Sequence, residues 1–296
     1  MTVTELRYLI VLAQTKHFGK AAARCHVSQP TLSVAVAKLE KALGVAIFER
    51  HHHHLEITKV GEEIILQAQK SLEEINKIKH IAMEGKSQLT ESLRIGAIYT
   101  VAPYLFPTLI PKLKKIAPKM PLIIHEDFTA QLRTKLQQGE LDVVFISLPF
   151  NETGIVCKKL YTEPFVVLLQ KNHPLAAKTT IQCEALKNEN VLLLGEGHCF
   201  RNQVIQVCPS CCDASRGQET IEGASLETLR HMVASGMGIT ILPSTATQIK
   251  HYQHLLTIRP FQHKNIERTI ALAWRASFPR TKAIDAILQA VKEAGF

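Results

Sequence analysis

Apolar residues at Leu6, Leu9, Ile10 and Ala13 fall at the i, i+3, i+4, i+7 spacing of one helical face, which predicts a helix near the start of the chain. A second short helix is expected in "HFGKAAAR", where Ala21, Ala22 and Ala23 let a neighbour approach closely. Cys25, His26 and Val27 read as a turn, and Ser28 is a good N-cap with Pro30 tolerated in the first turn. The helix that Ser28 opens runs through Leu32, Val36, Leu39 and Leu43 and stops at Gly44. "VAIFERHHHHLEITKVG" then reads as a hairpin with four histidines at its tip. Over 58–85 the apolar positions Ile64, Ala68, Leu72, Ile75, Ile78 and Ala82 form a narrow a/d-like stripe on one long helix. With no further element in the first domain to cover it, that stripe is expected to pack against a partner chain.

From about residue 92 the pattern changes to strands alternating with helices. Strands are expected in "SLRIGAI", "PLIIHEDF", "LDVVFIS", "PFVVLLQ", "NVLLLGE", "GITILP" and "TIALAWR". Helices are expected in "VAPYLFPTLIPKLKKIAP", "TAQLRTKLQQGE" and "SLETLRHMVASG". This alternation implies an α/β fold with ligand sites at strand ends, and the sequence runs through it twice, so two Rossmann-like subdomains with a cleft between them are expected. The division that follows is an all-α winged helix-turn-helix domain over 1–58, a linker helix over 59–88 and an α/β effector domain over 89–296. Within the last, the first subdomain takes about 89–163 and 269–296 and the second about 164–268.

Length and composition are consistent with this division: 296 residues, 46% of them hydrophobic, can bury a large core in more than one domain. No stretch is apolar for long enough to span a membrane, and the opening residues carry Glu5 and Arg7 where a signal peptide would be basic, so a cytoplasmic protein is expected. The formal charge of +9 permits a polyanionic partner, and its distribution says more. Between Glu5 and Glu40 there is no acidic residue, while Arg7, Lys16, Lys20, Arg24 and Lys38 all fall there. An ordinary helical hairpin could look similar, but the start of its second helix presents Ser28, Gln29, Pro30, Thr31 and Ser33, short groups suited to base edges and phosphates. Lys38 and Arg50 are placed to meet phosphates, and double-stranded DNA is the expected partner. Consecutive histidines on a hairpin alternate sides, so the four-histidine run reads as an exposed wing tip and not as a metal site.

The chain holds seven cysteines, an odd number at irregular spacing, which does not describe a secreted disulfide framework. Cys25, Cys157 and Cys183 stand alone and read as small buried hydrophobes. The other four crowd into "GEGHCFRNQVIQVCPSCC". Cys199 follows Gly195, Gly197 and His198 and opens a plausible helix, and the helix N-terminus together with Arg201 favours a reactive thiolate there. A structural zinc site built on Cys208 and Cys211, with His198, Cys199 and Cys212, is the competing reading; zinc sites usually present two separated pairs, which this stretch lacks.

"HFGKAAARCHVSQPTLSVAVAKLEKALGVAIFER" followed by "LEITKVG" resembles the N-terminal domain of LysR-type transcriptional regulators, and the α/β part resembles their periplasmic-binding-protein-like effector domain. "GHCFRNQVIQVC", "SLETLRHMVASGMGITILP" and "IYTVAPYLFP" are similar to the peroxide-sensing branch of that family. The resemblance implies an activator of antioxidant genes in which Cys199 reacts with hydrogen peroxide and Cys208 resolves it as a reversible disulfide. It places Thr100, Thr129 and His198 in the peroxide pocket, together with His125, Arg268 and either Thr220 or Glu222. It also implies a homotetramer built as a dimer of dimers, contact with RNA polymerase, and reduction by a glutaredoxin- or thioredoxin-type thiol. No cofactor, metal or enzymatic activity is implied.

If the stretch between the two cysteines is helical, nine steps hold them about 13 Å apart. A disulfide needs α-carbons within about 7 Å, so oxidation would have to unwind the helix. Cys211 and Cys212 remain alternative resolving thiols, and a small organic co-inducer in the effector cleft, with the cysteines incidental, remains the alternative signal.

Overall fold

The structure is a computed structural model that describes residues 1–50, 55–82, 88–209, 222–247, 252–263 and 265–296. Helices α1 (Val3–Thr15), α2 (Phe18–Arg24) and α3 (Gln29–Leu43) bury Leu9, Leu12, Ala21, Leu32 and Leu39 among themselves. Thr2 and Glu5 cap α1 reciprocally, and Ser28 caps α3 by accepting the Thr31 N–H at 3.3 Å. The turn between α2 and α3 places His26 at φ 56°, and Gly44 closes α3 in the left-handed conformation. Strands β1 (Phe48–Arg50) and β2 (Leu55–Ile57) pair as the expected antiparallel wing, whose tip histidines 51–54 lie outside the described residues. The Glu40 carboxylate on α3 accepts the N–H groups of Ile47 and Phe48 at 2.8 and 3.0 Å, so the wing is tied to α3 by a side chain that sequence reading passed over.

Helix α4 (Lys59–Ala82) departs in part from expectation. Ile65 and Ala68 are buried in the same core as α1, and Ile64 and Leu72 pack on its edge. The first half of the stripe therefore has a cover within its own chain, because α1 lies across it. Further along, Ile78 is 66% exposed.

The effector region is a mixed sheet in the order β4-β3-β5-β11-β6-β9-β7-β8, with β10 also paired to β6. In chain order these are β3 (Leu93–Ile98), β4 (Leu122–Asp127), β5 (Val143–Ser147), β6 (Ile155–Gln170), β7 (Val191–Leu194), β8 (Glu222–Gly223), β9 (Ile239–Pro243), β10 (Leu256–Pro260) and β11 (Glu267–Arg275). Helices α5 (Ala102–Ile116), α6 (Thr129–Gln137), α7 (Cys199–Val207), α8 (Leu226–Ala234) and α9 (Thr281–Glu293) cover it. β6 is far longer than the expected "PFVVLLQ": its first part pairs with β11 and its second with β10 and β9. The earlier half was missed because its Cys157, Lys158 and Lys159 are exposed, so no apolar run marks it. Two apolar cores result, one around Leu93, Val144, Leu272 and Ile287, the other around Phe165, Leu192, Leu229 and Ile241.

Candidate functional site

The strand ends of the first core meet the start of α7 at a pocket of about 10 Å³. Its lining includes Thr100, Phe128, Thr129, His198 and Cys199. That volume holds about one water-sized molecule. Thr100 is buried because Arg268 grips it, Nη1 donating to Oγ1 at 2.8 Å and Nη2 to the carbonyl at 2.9 Å. Arg268 is itself buried, paired through Nε with Glu163 at 2.7 Å and stacked over the Phe200 ring with its Cζ 5.0 Å from the centroid. The Glu163 carboxylate is completed by the hydroxyl and N–H of Thr245. Thr129 opens α6, and its buried hydroxyl has no hydrogen-bond partner among the described residues. An unpaired buried hydroxyl costs about 1–3 kcal/mol, so its retention facing a pocket marks it as a group waiting for a ligand.

His198 is the N-cap of α7 without capping it; its ring stands edge-on to Phe128, with centroids 4.8 Å apart, and to Tyr99 at 5.8 Å. Burial pushes its imidazole below the ordinary value, opposed by a hydrogen bond to the Ala224 backbone, so the ring is neutral at pH 7. Gly197 sits at φ 90°, and a Cβ there would meet the Phe128 ring at 3.2 Å; glycine is needed to bring His198 and Cys199 to the pocket.

Cys199 is the first residue of α7 and Cys208 is its C-cap, so one uninterrupted helix separates the two thiols. Cys199 packs against the first core, whereas Cys208 is wholly buried in the second. Cys208 Sγ donates to the Cys183 carbonyl at 3.7 Å and Cys183 Sγ to the Val207 carbonyl at 3.6 Å. Burial, followed by the neighbouring Cys208, pushes the Cys183 thiol up to about 12. Sequence reading treated Cys183 as an isolated hydrophobe; nothing in the local pattern reveals that it holds Cys208 from 25 residues away. Gln203 also pins α7, its Nε2 donating to Ser147 Oγ at 2.9 Å and the Leu148 carbonyl at 3.2 Å.

Thr100, Thr129, His198 and Cys199 thus come together, and Arg268 reaches the group through Thr100. His125 does not join them: it is exposed on edge strand β4 and does not line the pocket. Arg201 is turned away to the Leu194 carbonyl at 2.8 Å and the Glu222 carboxylate at 2.6 Å. Thr220, Cys211 and Cys212 lie outside the described residues.

At the other end of the chain, Ser28, Gln29, Pro30 and Thr31 are exposed at the start of α3, with Ser33 half-buried. Ser28 Oγ and Thr31 Oγ1 share a hydrogen bond of 2.7 Å. Lys38 is exposed and lies 3.7 Å from Glu5, a loose surface pair. Arg50 ends β1, and its side chain lies outside the described residues.

Residues 3–62 match the family described as "Bacterial regulatory helix-turn-helix protein, lysR family", and residues 86–295 match "LysR substrate binding domain". The chain belongs to the LysR family of bacterial transcriptional regulators. Its helix-turn-helix makes it a DNA-binding protein, of a family that is not an enzyme class. Within the LysR family it is similar to the "Hydrogen peroxide-inducible genes activator" of Dickeya chrysanthemi, 35% identical over 294 residues, covering 99% of this chain and 95% of that protein. It is equally similar to the "DNA-binding transcriptional dual regulator OxyR" of Escherichia coli K12, at 35% over 293 residues, covering 99% and 95%. A full-length OxyR variant from Pseudomonas aeruginosa shares the fold with a TM-score of 0.87 and 52% identity, covering 99% of this chain and 95% of that one. A LysR-family effector domain built on two α/β cores accounts for the way strands β6 and β11 serve both.

Proposed function

We propose that this LysR-family regulator is switched by hydrogen peroxide through Cys199. The observation that carries the reading is the pocket at Cys199: about 10 Å³, lined by Thr100, Thr129 and His198, with the Thr129 hydroxyl unpaired. A small organic co-inducer needs about 300 Å³ or more, so this pocket selects a ligand close to water in size. Relatives named as peroxide-inducible activators support the same signal, as does a similar Corynebacterium glutamicum OxyR mutant structure described as H2O2-bound, with TM-score 0.66 and 30% identity over 99% of this chain and 92% of that one.

The Cys199 thiolate attacks one peroxide oxygen; an S–O bond forms, the O–O bond breaks, and the departing hydroxide takes a proton and leaves as water. Thr100 and Thr129 present hydroxyls, and neutral His198 a ring nitrogen, to the reacting oxygens. Arg268 acts by holding Thr100 and does not itself face the pocket. The Cys208 thiolate then attacks the sulfenic sulfur, forming S–S and releasing the second oxygen as water. Because α7 lies between the cysteines, this step requires α7 to unwind, and the unwinding is the signal. Return to the reduced form calls for a thiol reductant of the glutaredoxin or thioredoxin type. The regulator works on double-stranded DNA through Ser28, Gln29, Pro30, Thr31, Ser33, Lys38 and Arg50, as a cytoplasmic dimer of dimers that recruits RNA polymerase.

The test is footprinting on operator DNA with reduced and peroxide-treated protein, alongside mobility on a non-reducing gel. Wild type should change in both; Cys199→Ser should bind DNA and change in neither. A peroxide response that survives in Cys199→Ser overturns the proposal, and mass-spectrometric mapping that finds Cys199 joined to Cys211 or Cys212 replaces Cys208 as the partner.

A further inference from the structure

A second cavity, of about 840 Å³, lies where the DNA-binding unit meets the effector region. One wall is formed by α1 and α4; the other is formed by the start of β3, the loop after α6 and the end of β11. Gln69 on α4 lines it with 7% of its surface exposed, and neither its amide nitrogen nor its amide oxygen has a partner among the described residues. Both amide atoms can bond to a single bound molecule, which a packing residue would not need.

The charge around this amide is not balanced. Arg275 is committed to the Glu73 carboxylate and the carbonyls of Leu136 and Leu141, and Arg280 to the carbonyls of Gln88, Glu91 and Ser92. Arg7, Arg24 and Arg94 also line the cavity, and their guanidinium groups have no hydrogen-bond or ion-pair partner among the described residues. Of the lining carboxylates, Glu73 is held by Arg275 and Ser277, and Asp142, which accepts the backbone N–H of Arg94 at 2.8 Å, and Glu91 keep their charge, so the lining still carries more arginines than carboxylates. Three exposed arginines without a guanidinium partner line the same cavity as one buried, unsatisfied amide, and together these groups suit an oxyanion.

We propose that this cavity is a binding site for a small organic polyanion, a polycarboxylate or phosphorylated metabolite, anchored by Arg7, Arg24 and Arg94 with Gln69 reading its polar group. Its volume is in the range of metabolite sites, about 300–1,000 Å³, in contrast to the pocket at Cys199. Arg7 lies on α1 of the DNA-binding unit, Gln69 on the linker helix α4 packed against it, and Arg94 in the effector region, so one bound molecule joins the two ends of the chain. A ligand that favours this arrangement over others shifts the DNA-binding unit toward it, an input separate from the thiols.

The test is calorimetric titration of full-length, reduced protein with citrate and, separately, inorganic phosphate, against chloride at matched ionic strength. At least one of the two anions should bind saturably at one site per chain with Kd at or below about 1 mM. Gln69→Leu and the double variant R7Q/R94Q should each weaken it by roughly tenfold or more. Without anion, Gln69→Leu should melt higher than wild type, because an unpaired buried amide has been removed. Cys199→Ser should bind the anion like wild type, which separates failure of this site from failure of the peroxide reading. The proposal is overturned if neither anion gives saturable heat beyond chloride, if the variants bind as wild type does, or if Gln69→Leu melts lower in anion-free buffer.

Discussion

If the disulfide can form only when α7 unwinds, then the packing of α7 sets the redox potential of the switch, and Val204 is the place to change it. Val204 is 1% exposed in the second core, beside Phe200 and Cys208. Val204→Ala removes the equivalent of two methylenes from the reduced, helical form, a loss of about 1.6 kcal/mol at 0.8 kcal/mol each. An unwound α7 no longer uses that contact, so the oxidised form loses little. The reduced form is thereby destabilised relative to the oxidised one, and the midpoint potential falls by about 35 mV for a two-electron couple. Equilibration in graded dithiothreitol buffers, with thiols trapped by alkylation and counted by mass, measures this directly. Gln206→Ala is the control: Gln206 is exposed on α7 and alanine is the better helix former, so the potential should rise slightly. A Val204→Ala potential equal to that of wild type would refute the reasoning, since it would mean that Val204 keeps its packing when the disulfide forms.

Thr129→Val should raise the melting temperature, by removing a buried unpaired hydroxyl worth about 1–3 kcal/mol, and slow peroxide oxidation by on the order of 100-fold. Differential scanning calorimetry and stopped-flow oxidation kinetics check the two halves. The depressed His198 imidazole predicts a pH dependence. Above its ordinary value of 6.5 both folded and unfolded forms are neutral there, and as pH falls below it the unfolded chain takes up the proton first. Stability should therefore drop as the pH falls below 6.5, and urea melts of His198→Gln should show a shallower drop. Arg50→Ala should weaken DNA binding across sequences and lower the logarithmic salt slope by about 1, while Thr31→Ala should relax sequence preference, both measured by fluorescence anisotropy on operator and scrambled duplexes.

The helix-turn-helix was legible in the sequence because its signals are local: a 3.6-residue period, a serine cap and a glycine stop, all between Ser28 and Gly44. The α7 helix was legible for the same reason, down to Cys199 as its first residue. What escaped was set by distant partners. Cys183 looks isolated until the fold lays it against Cys208, and Glu163 becomes visible only as the counter-ion of Arg268 across the β6–β11 pair. The resemblance named His125, but β4 is an edge strand and its alternation turns that ring outward to solvent. The stripe on α4 was expected to meet a partner chain, yet its first half packs on α1 of the same chain, because which element covers it depends on where α1 comes to lie.

The same logic connects the two ends of the molecule. β11 runs from Glu267 to Arg275 as one strand, buried along most of its length and paired on both sides, by β5 and β6. Near its start Arg268 fixes Thr100 at the peroxide-sized pocket and lies over Phe200 of α7; at its end Arg275 holds Glu73 of α4, beside the unsatisfied Gln69. A strand hydrogen-bonded on both edges cannot stretch or slide on its own, so it answers a displacement of Phe200 by moving with its sheet or by letting Arg268 go. In either case unwinding of α7 first costs the contact between Phe200 and Arg268, which makes the Arg268–Glu163 pair the element whose two arrangements have to be compared. Glu163 is the more informative of the two to alter: it touches neither the pocket nor the DNA-binding unit, so any coupling lost in Glu163→Gln comes from the two groups its carboxylate holds, Arg268 and Thr245.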